Sequence, residues 1–364
     1  MNVCIIGEGL TALSLAKSLI NKKINVHYYH KRGNNYFPSN RTIGISKSNF
    51  EFFNEKIFQL KKKNFWKIKK IEIYSNKIDN ENLFKFENNK NDLFYLIKND
   101  ELFRSLKTNL IKSRFFKSII LKKNLKEEFI NKKKYDLIIN CDANNFLAKK
   151  YFAKKINKDY YNCAYTTIIK HKKIENNTAI QIFTEQGPIA FLPISNFETS
   201  IVYSIDIKDK KFDDSDVVNL INKNNPKYKI TKVAKLNSFK LISSNLRVYH
   251  YKNILAFGDM LHRIHPLAGQ GFNMTIRDLR VLTKIIEDKI ELGIQLDSSI
   301  LSEFEKKTKD KNFIFSKAID LIYETFNFDK KIKNKSFIKL LKSIGGNKNF
   351  NDYLIKLADV GLNS

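Results

Sequence analysis

Two glycine clusters interrupt a chain that carries only 12 glycines in 364 residues. The first is Gly7-Glu8-Gly9-Leu10-Thr11-Ala12, which fits G-x-G-x-x-G/A. At such a turn the first glycine permits the tight bend. The second lets backbone approach a pyrophosphate, and the small third residue allows close helix–strand packing. The second cluster is "HPLAGQGFN", His265 to Asn273, preceded by Gly258-Asp259 at the end of an apolar run. A proline corner at Pro266, then Gly269 and Gly271 at the mouth of a helix, offers backbone N–H groups and a positive helix end to an anionic group. Such a loop can also lie flat against a ring system, and Asp259 can hydrogen-bond a polyol. These groups suit a flavin, with its ribityl chain at Asp259 and its ring and phosphates against the loop and helix start.

The elements that must position these turns are legible on either side. Val3 to Ile6 is a short apolar run that predicts a strand, and Leu10, Leu13, Ala16 and Ile20 recur at helical spacing. "INVHYY", Ile24 to Tyr29, is the next strand and completes a βαβ unit of about thirty residues. The acid that closes the second strand of such a unit would fall at His30, followed by Lys31 and Arg32, so no carboxylate is there. A charge-assisted hydrogen bond of about 1.5–3 kcal/mol is missing from that position. Either other contacts hold the adenosine end, or the basic trio meets a 2′-phosphate, as in NADP-binding variants.

Further along, Phe65 to Phe86 alternates, with Ile68, Ile71 and Ile73 among lysines, and predicts a strand with one wet face. Asp100 to Ser113 is helical, and "KYDLIINCD" is a buried strand ending at Asp142. Strand-like segments fill Tyr165 to about Ile242, and "NILAFGD" is a buried strand that leads into the second loop. A helix starts near Gly271 with Ile276, Leu279, Leu282 and Ile286 on one face, and the chain from about Leu301 reads as helical throughout. The order predicts an α/β fold: a Rossmann-like FAD-binding domain, split in sequence, with an inserted antiparallel β-sheet substrate domain and a helical C-terminus. The expected limits are 1–64, 96–155 and 245–310 for the first, 65–95 and 156–244 for the second, and 311–364 for the helical region.

Bulk properties exclude several classes. The 66 Lys and Arg against 37 Asp and Glu give a net charge of +29. Lysine dominates, and the excess extends into every segment rather than forming a patch, so nucleic acid is not an expected partner. A cationic surface still favours anionic membranes and acidic partners. Three cysteines, Cys4, Cys141 and Cys163, form no CxxC pair, and the expected setting is a reduced cytoplasm. No apolar run reaches about 18 residues.

The loop "GDMLHRIHPLAGQGFNMTIRD" resembles that of the FAD-dependent aromatic-ring hydroxylases, most closely their ubiquinone-biosynthesis branch with "GDAAHxxHPxAGQGxNxGxxD". "NRTIGIS", containing Arg41, is similar to the family's segment near the flavin. "FTEQGPIAFLPI", with Gly187, Pro188 and Pro193, resembles its substrate-domain stretch, and "NKSFIKLLKSIGG" is loosely similar to its C-terminal helix. The resemblance implies FAD, with its AMP half at Gly7, Gly9, Leu10, Thr11 and Ala12, beside His30 and Lys31. Its reactive half would lie at Arg41, Asp142, Gly258, Asp259, Pro266, Ala268, Gly269, Gln270, Gly271, Phe272 and Asn273. NAD(P)H reduces the flavin and O2 supplies the oxygen. His265, Pro266 and the helix start at Gly271 carry the expected catalytic roles of shaping the loop and stabilising negative charge on the flavin. No metal is expected, and His262 with His265 is not read as a metal pair. "NCDANNF" stands where the family has "GADGxxS": Asp142 is kept, and Ala143 replaces the second glycine. The alanine either crowds a close backbone approach or is met by a rearranged turn.

The expected activity is therefore hydroxylation of the ring of a polyprenylated phenol in ubiquinone synthesis. Two other readings stay open: a degenerate homologue that scaffolds a quinone-synthesis complex, and a hydroxylase of a soluble aromatic acid. Lys61, Lys62, Lys63, Lys67, Lys69 and Lys70 around Trp66 form either a solvated strand face or a lipid-docking patch. Phe337, Leu340, Leu341 and Ile344 form an amphipathic face that packs on the protein or contacts a membrane. Peripheral association with the inner membrane is the location that matches a polyprenyl substrate.

Overall fold

The computed structural model describes residues 1–31, 41–76, 81–87, 92–121, 134–208, 212–332, 343 and 345–362, without the side chains of 81, 268, 326–332 and 348. Among these residues the strands form three sheets. The first has the order β16 (His250–Tyr251), β17 (Ile254–Ala256), β9 (Leu137–Asn140), β1 (Asn2–Ile6), β2 (Asn25–Lys31) and β8 (Phe116–Leu121). All its pairings but β16 with β17 are parallel. A parallel sheet must be covered on both faces, and β1, β9 and β17 are accordingly apolar and almost wholly buried. The covering helices include α1 (Leu10–Asn21), α3 (Asn99–Ile111), α6 (Gln270–Glu291) and the start of α7 (Ser299–Ile332), which share one core with the sheet.

The second sheet is largely antiparallel. Its order is β18 (His262–Arg263), β15 (Asn237–Leu246), β10 (Lys155–His171), β13 (Glu198–Asp206), β12 (Pro188–Pro193), β11 (Thr178–Phe183), β5 (Lys70–Ser75) and β6 (Glu81–Glu87). β14 (Ile230–Val233) pairs beside it on β10. The third sheet joins β3 (Thr42–Ser46), β7 (Phe94–Lys98) and β4 (Trp66–Ile68). α2 (Lys47–Phe52), α4 (Phe146–Tyr151), α5 (Asp214–Lys223) and α8 (Lys348–Val360) complete the elements. The fold is α/β, with a parallel sheet, a large antiparallel sheet and a helical C-terminus. No helix among the described residues is long and apolar enough to cross a membrane.

Several elements differ from the sequence expectation. The alternating run from Phe65 bends at Lys69: β4 pairs with β7 in one sheet, while β5 pairs with β11 and β6 in another. β9 ends at Asn140 rather than Asp142, because the Asn140 side chain accepts the Asp142 N–H and bonds to Asn145, turning the chain. The stretch before Ile242 is interrupted by a helix that the strand pattern hid. α5 is capped by Asp213, whose side chain accepts the Asp216 N–H, and it buries Val217 and Ile221. After Leu301 the described residues are helical in α7 to Ile332 and in α8 from Lys348, with a turn at Gly346 and Asn347 before the latter; the amphipathic stretch around Leu340 lies outside the described residues. Trp66 is half-buried and donates its indole N–H to the Asn176 carbonyl at 2.6 Å, while Lys67 and Lys70 pair with Asp92 and Glu72.

Candidate functional site

The register of the parallel sheet decides where the two glycine clusters go. Ile6 and Ala256 both pair with Asn140, so β1, β9 and β17 end at one level. The turns that follow them therefore emerge at one edge, the carboxyl edge where open α/β sheets bind ligands. Gly7 has φ +146°, and a Cβ there would lie 2.9 Å from the Cβ of Cys141. Gly258 has φ +68°, and a Cβ there would lie 2.5 Å from Cγ2 of Thr11. The second turn thus packs directly on the first helix turn.

Gly9 and Gly271 behave differently. A Cβ at either would meet nothing within 4 Å. Gly9 has φ −89°, which any residue adopts. Neither strain nor protein packing asks for glycine at these positions, so the space beside them is open to a ligand. Gly9 opens α1 and Gly271 lies in the first turn of α6, and no side chain caps either helix. Two uncapped helix starts on open glycines fit the phosphates and ring of a flavin dinucleotide.

The other expected contacts sort into three groups. Asp259 is exposed at the edge, and Asp142 beside it accepts the Asn144 N–H at 2.9 Å and lies 3.8 Å from the Lys31 ammonium. Leu10 and Ala12 are buried in the main core, Phe272 packs against it, and Gln270 is buried near Arg277 at 3.5 Å, so these four offer a ligand chiefly backbone. Arg41 is exposed with its guanidinium over Phe239, while Arg32 and the Ala268 side chain lie outside the described residues. Two expected residues use their side chains on protein. The His30 ring is not turned toward the turn: its Nε2 lies 3.0 Å from Ser118 Oγ on β8. The Asn273 side chain is wholly committed to protein. It accepts the Ser46 N–H at 2.9 Å and donates to the carbonyls of Gly44 and Gly269 at 3.0 Å each. Ala143 needs no glycine for its backbone, because positive φ among described non-glycine residues occurs only at Lys23, Tyr161 and Lys252.

The other end of the second loop faces the large sheet. His265 is buried, with Nε2 3.3 Å from Ser204 Oγ and no partner on Nδ1. Tyr323 stacks on its ring at 4.2 Å and Tyr160 meets it edge-on at 5.0 Å; the Tyr160 hydroxyl donates to Asp320. Burial, helped by the charge of Lys158, pushes the imidazole pKa down to about 3. A small cleft opens beside His265 and Pro266, lined by Gln181, Ala190, Val202 and Ser204. The first three stand in one row across β11, β12 and β13, and Ser204 is two residues on, on the same face. The sequence reading missed this row. Its signal was a glutamine inside the apolar strand "AIQIF", but only strand pairing shows what Gln181 faces. His262 is not beside His265 in function: its Nε2 bonds Asp278 at 2.6 Å, and Asp278 also accepts from Asn312 at 2.8 Å.

Comparisons with known proteins agree with this arrangement. The FAD binding domain family matches residues 162–293, from β10 through α6. Ubiquinone biosynthesis monooxygenase COQ6 of Dictyostelium discoideum is 25% identical over 260 residues, covering 57% of this chain and 52% of that protein. The 3-demethoxyubiquinol 3-hydroxylase of Escherichia coli K12 is 29% identical over 154 residues, 40% of this chain and 39% of that protein. The chain thus spans about half or less of these relatives' lengths. Among solved structures, p-nitrophenol 4-monooxygenase PnpA of Pseudomonas putida superposes with TM-score 0.77 at 11% identity, covering 100% of this chain and 98% of that one. HpxO of Klebsiella pneumoniae, complexed with FAD and uric acid, gives 0.76 at 12% identity with 100% and 98% covered, a likeness of fold. The chain thus shares the fold of these monooxygenases, and over residues 162–293 it matches the FAD binding domain family.

Proposed function

We propose that the protein is a monooxygenase that hydroxylates the aromatic ring of a polyprenylated phenol in ubiquinone biosynthesis, with FAD, NAD(P)H and O2. The observation that carries the reading is the contact of Gly258 with Thr11, which makes one cradle of two turns some 250 residues apart in sequence. The names of the two curated relatives support the pathway. In this reading the dinucleotide domain comprises 1–64, 96–155 and 245–310, and the substrate domain 65–95 and 156–244.

When bound and reduced, the flavin supplies oxygen activation that no side chain provides. The chain's own groups do the rest. Backbone at Gly9 and the first turn of α1 binds the diphosphate, and Asp259 takes a ribityl hydroxyl. The uncapped start of α6 at Gly271 offers N–H groups to negative charge on the ring. Pro266 and Leu267 line the cleft and, in this reading, are the groups that shield the ring from water. His265, held neutral by burial, and Ser204 give a phenolic hydroxyl hydrogen-bonding partners on an otherwise apolar wall. The cleft beside His265 opens to solvent, and the polyprenyl tail of such a substrate is poorly soluble in water. That is why we infer peripheral membrane contact.

The test is direct. Purified protein binds FAD and turns yellow, then consumes NADH or NADPH in a substrate-dependent way when given a prenylated phenol, yielding hydroxylated product. Turnover of a soluble aromatic acid alone would redirect the substrate class. FAD binding without turnover of either would favour the scaffold reading, and protein that takes up no FAD would refute the proposal.

A further inference from the structure

We propose that Glu8 replaces the strand-end acid of the first βαβ unit and holds the adenosine ribose of the dinucleotide. The inference rests on the FAD reading above and concerns how this chain meets the cofactor. β2 ends without a carboxylate, and His30, which occupies the acid's place, bonds to Ser118 on β8. Yet a carboxylate does stand at the end of β2. It comes from the turn: Glu8 Oε1 accepts the backbone N–H of Lys31 at 2.5 Å. Glu8 is exposed, and its other oxygen has no partner among the described residues.

The placement answers two difficulties at once. Glu8 sits between Gly7 and Gly9, where a free carboxylate would face the pyrophosphate and repel it. Its bond to Lys31 draws the charge off the uncapped start of α1 and over to the end of β2. There a carboxylate can accept the 2′- and 3′-hydroxyls of a ribose, which is the usual task of the missing acid. The same charge repels a 2′-phosphate. That decides between the two readings of the basic residues after β2 in favour of a plain ribose. Lys31 is no counter-argument, because its ammonium faces Asp142 at 3.8 Å, which offsets its charge.

The experiment titrates apo-protein with FAD and with FMN, which lacks the adenosine, following flavin fluorescence. Glu8→Ala is expected to weaken FAD about ten- to a hundredfold, the loss of one charge-assisted hydrogen bond, and to leave FMN binding and the apo-protein melting temperature unchanged. Glu8→Gln keeps the Lys31 contact without the charge and is expected to fall between. In the Glu8→Ala background, His30→Glu restores an acid at the usual position and is expected to recover FAD affinity. Equal FAD affinity of Glu8→Ala and wild type would overturn the assignment, as would a matching loss of FMN. Failure of wild type itself to bind FAD would refute the flavoprotein reading instead, whatever the variants do.

Discussion

The turn at Gly7 and the loop from Gly258 to Asn273 serve one edge but are built in opposite ways. The first is a local structure. Its strand, bend and helix are consecutive, and its long-range needs are slight: Gly7 donates to the Tyr29 carbonyl at 3.0 Å and touches Cys141. The second is held from a distance. Asn273 reaches 229 residues back to Gly44 and 227 to Ser46. Behind it Asp359, at the end of α8, accepts from the N–H and hydroxyl of Ser48 at 2.8 and 2.9 Å. The half proposed to meet the phosphates can be made by local chain geometry. The half proposed to meet the reactive ring depends on the rest of the molecule, where position to within fractions of an ångström matters more.

The contact that unites the two halves should be the most sensitive. Gly258→Val forces a side chain into Thr11 at a left-handed position, and we expect a loss of about 3–5 kcal/mol together with FAD binding. The milder Gly258→Ala sharpens the point. Thr11→Ser removes the methyl that the new Cβ would strike, so the pair should be less destabilised than the sum of the singles by about 1 kcal/mol in denaturant melts. Asn273→Ala breaks the long-range clamp alone. It leaves the buried Ser46 N–H and two carbonyls without that partner, and a loss of about 2–3 kcal/mol is expected by urea unfolding. An Asn273→Ala protein as stable as wild type would show that the second loop, too, is local.

His265 provides a pH readout of the same region. Its folded-state pKa lies near 3, below the ordinary histidine value of 6.5. The unfolded chain therefore binds the proton first. The group's contribution is full above about pH 6.5 and is lost as pH falls from there toward 3. About 2 kcal/mol should disappear between pH 7.5 and pH 5, and His265→Gln should flatten that part of the stability profile. The smallest effects on stability are expected at the open glycines. Gly9→Ala should leave the apo-protein within about 0.5 kcal/mol of wild type. Gly271→Ala, inside a helix, should stabilise it by about 0.5–1 kcal/mol. Both should nevertheless weaken FAD about tenfold or more, because a methyl then stands where backbone must approach the ligand. Unchanged FAD affinity in both would remove the reason for glycine at these positions.

Most of the first turn was legible because the information lies within thirty residues: apolar strand, glycine spacing and helical periodicity. The second loop was legible as a motif but not as a set of contacts. Asn273 fits the motif and reads as a ligand contact, but only the fold shows its side chain in four hydrogen bonds, with Ser46, Asn49, Gly44 and Gly269. Glu8 went unweighed for the opposite reason. A residue in the variable position of G-x-G carries no pattern, and only the fold shows its carboxylate at the end of a strand 23 residues on. α5 was missed because it interrupts a strand-rich region, although Asp213 and the apolar Val217 and Ile221 mark it.

By itself the sequence determined the local conformations: where glycine bends the chain, which segments are apolar strands, and which helices begin without a cap. Tertiary structure alone decided which side chains meet at the sheet edge and the cleft. Strand pairing brought Ile6, Asn140 and Ala256 to one level, and packing put His265 beside Ser204, 61 residues away. Such neighbours are chosen by sheet register and core packing, which sum contacts over the whole chain. No short stretch of sequence contains them.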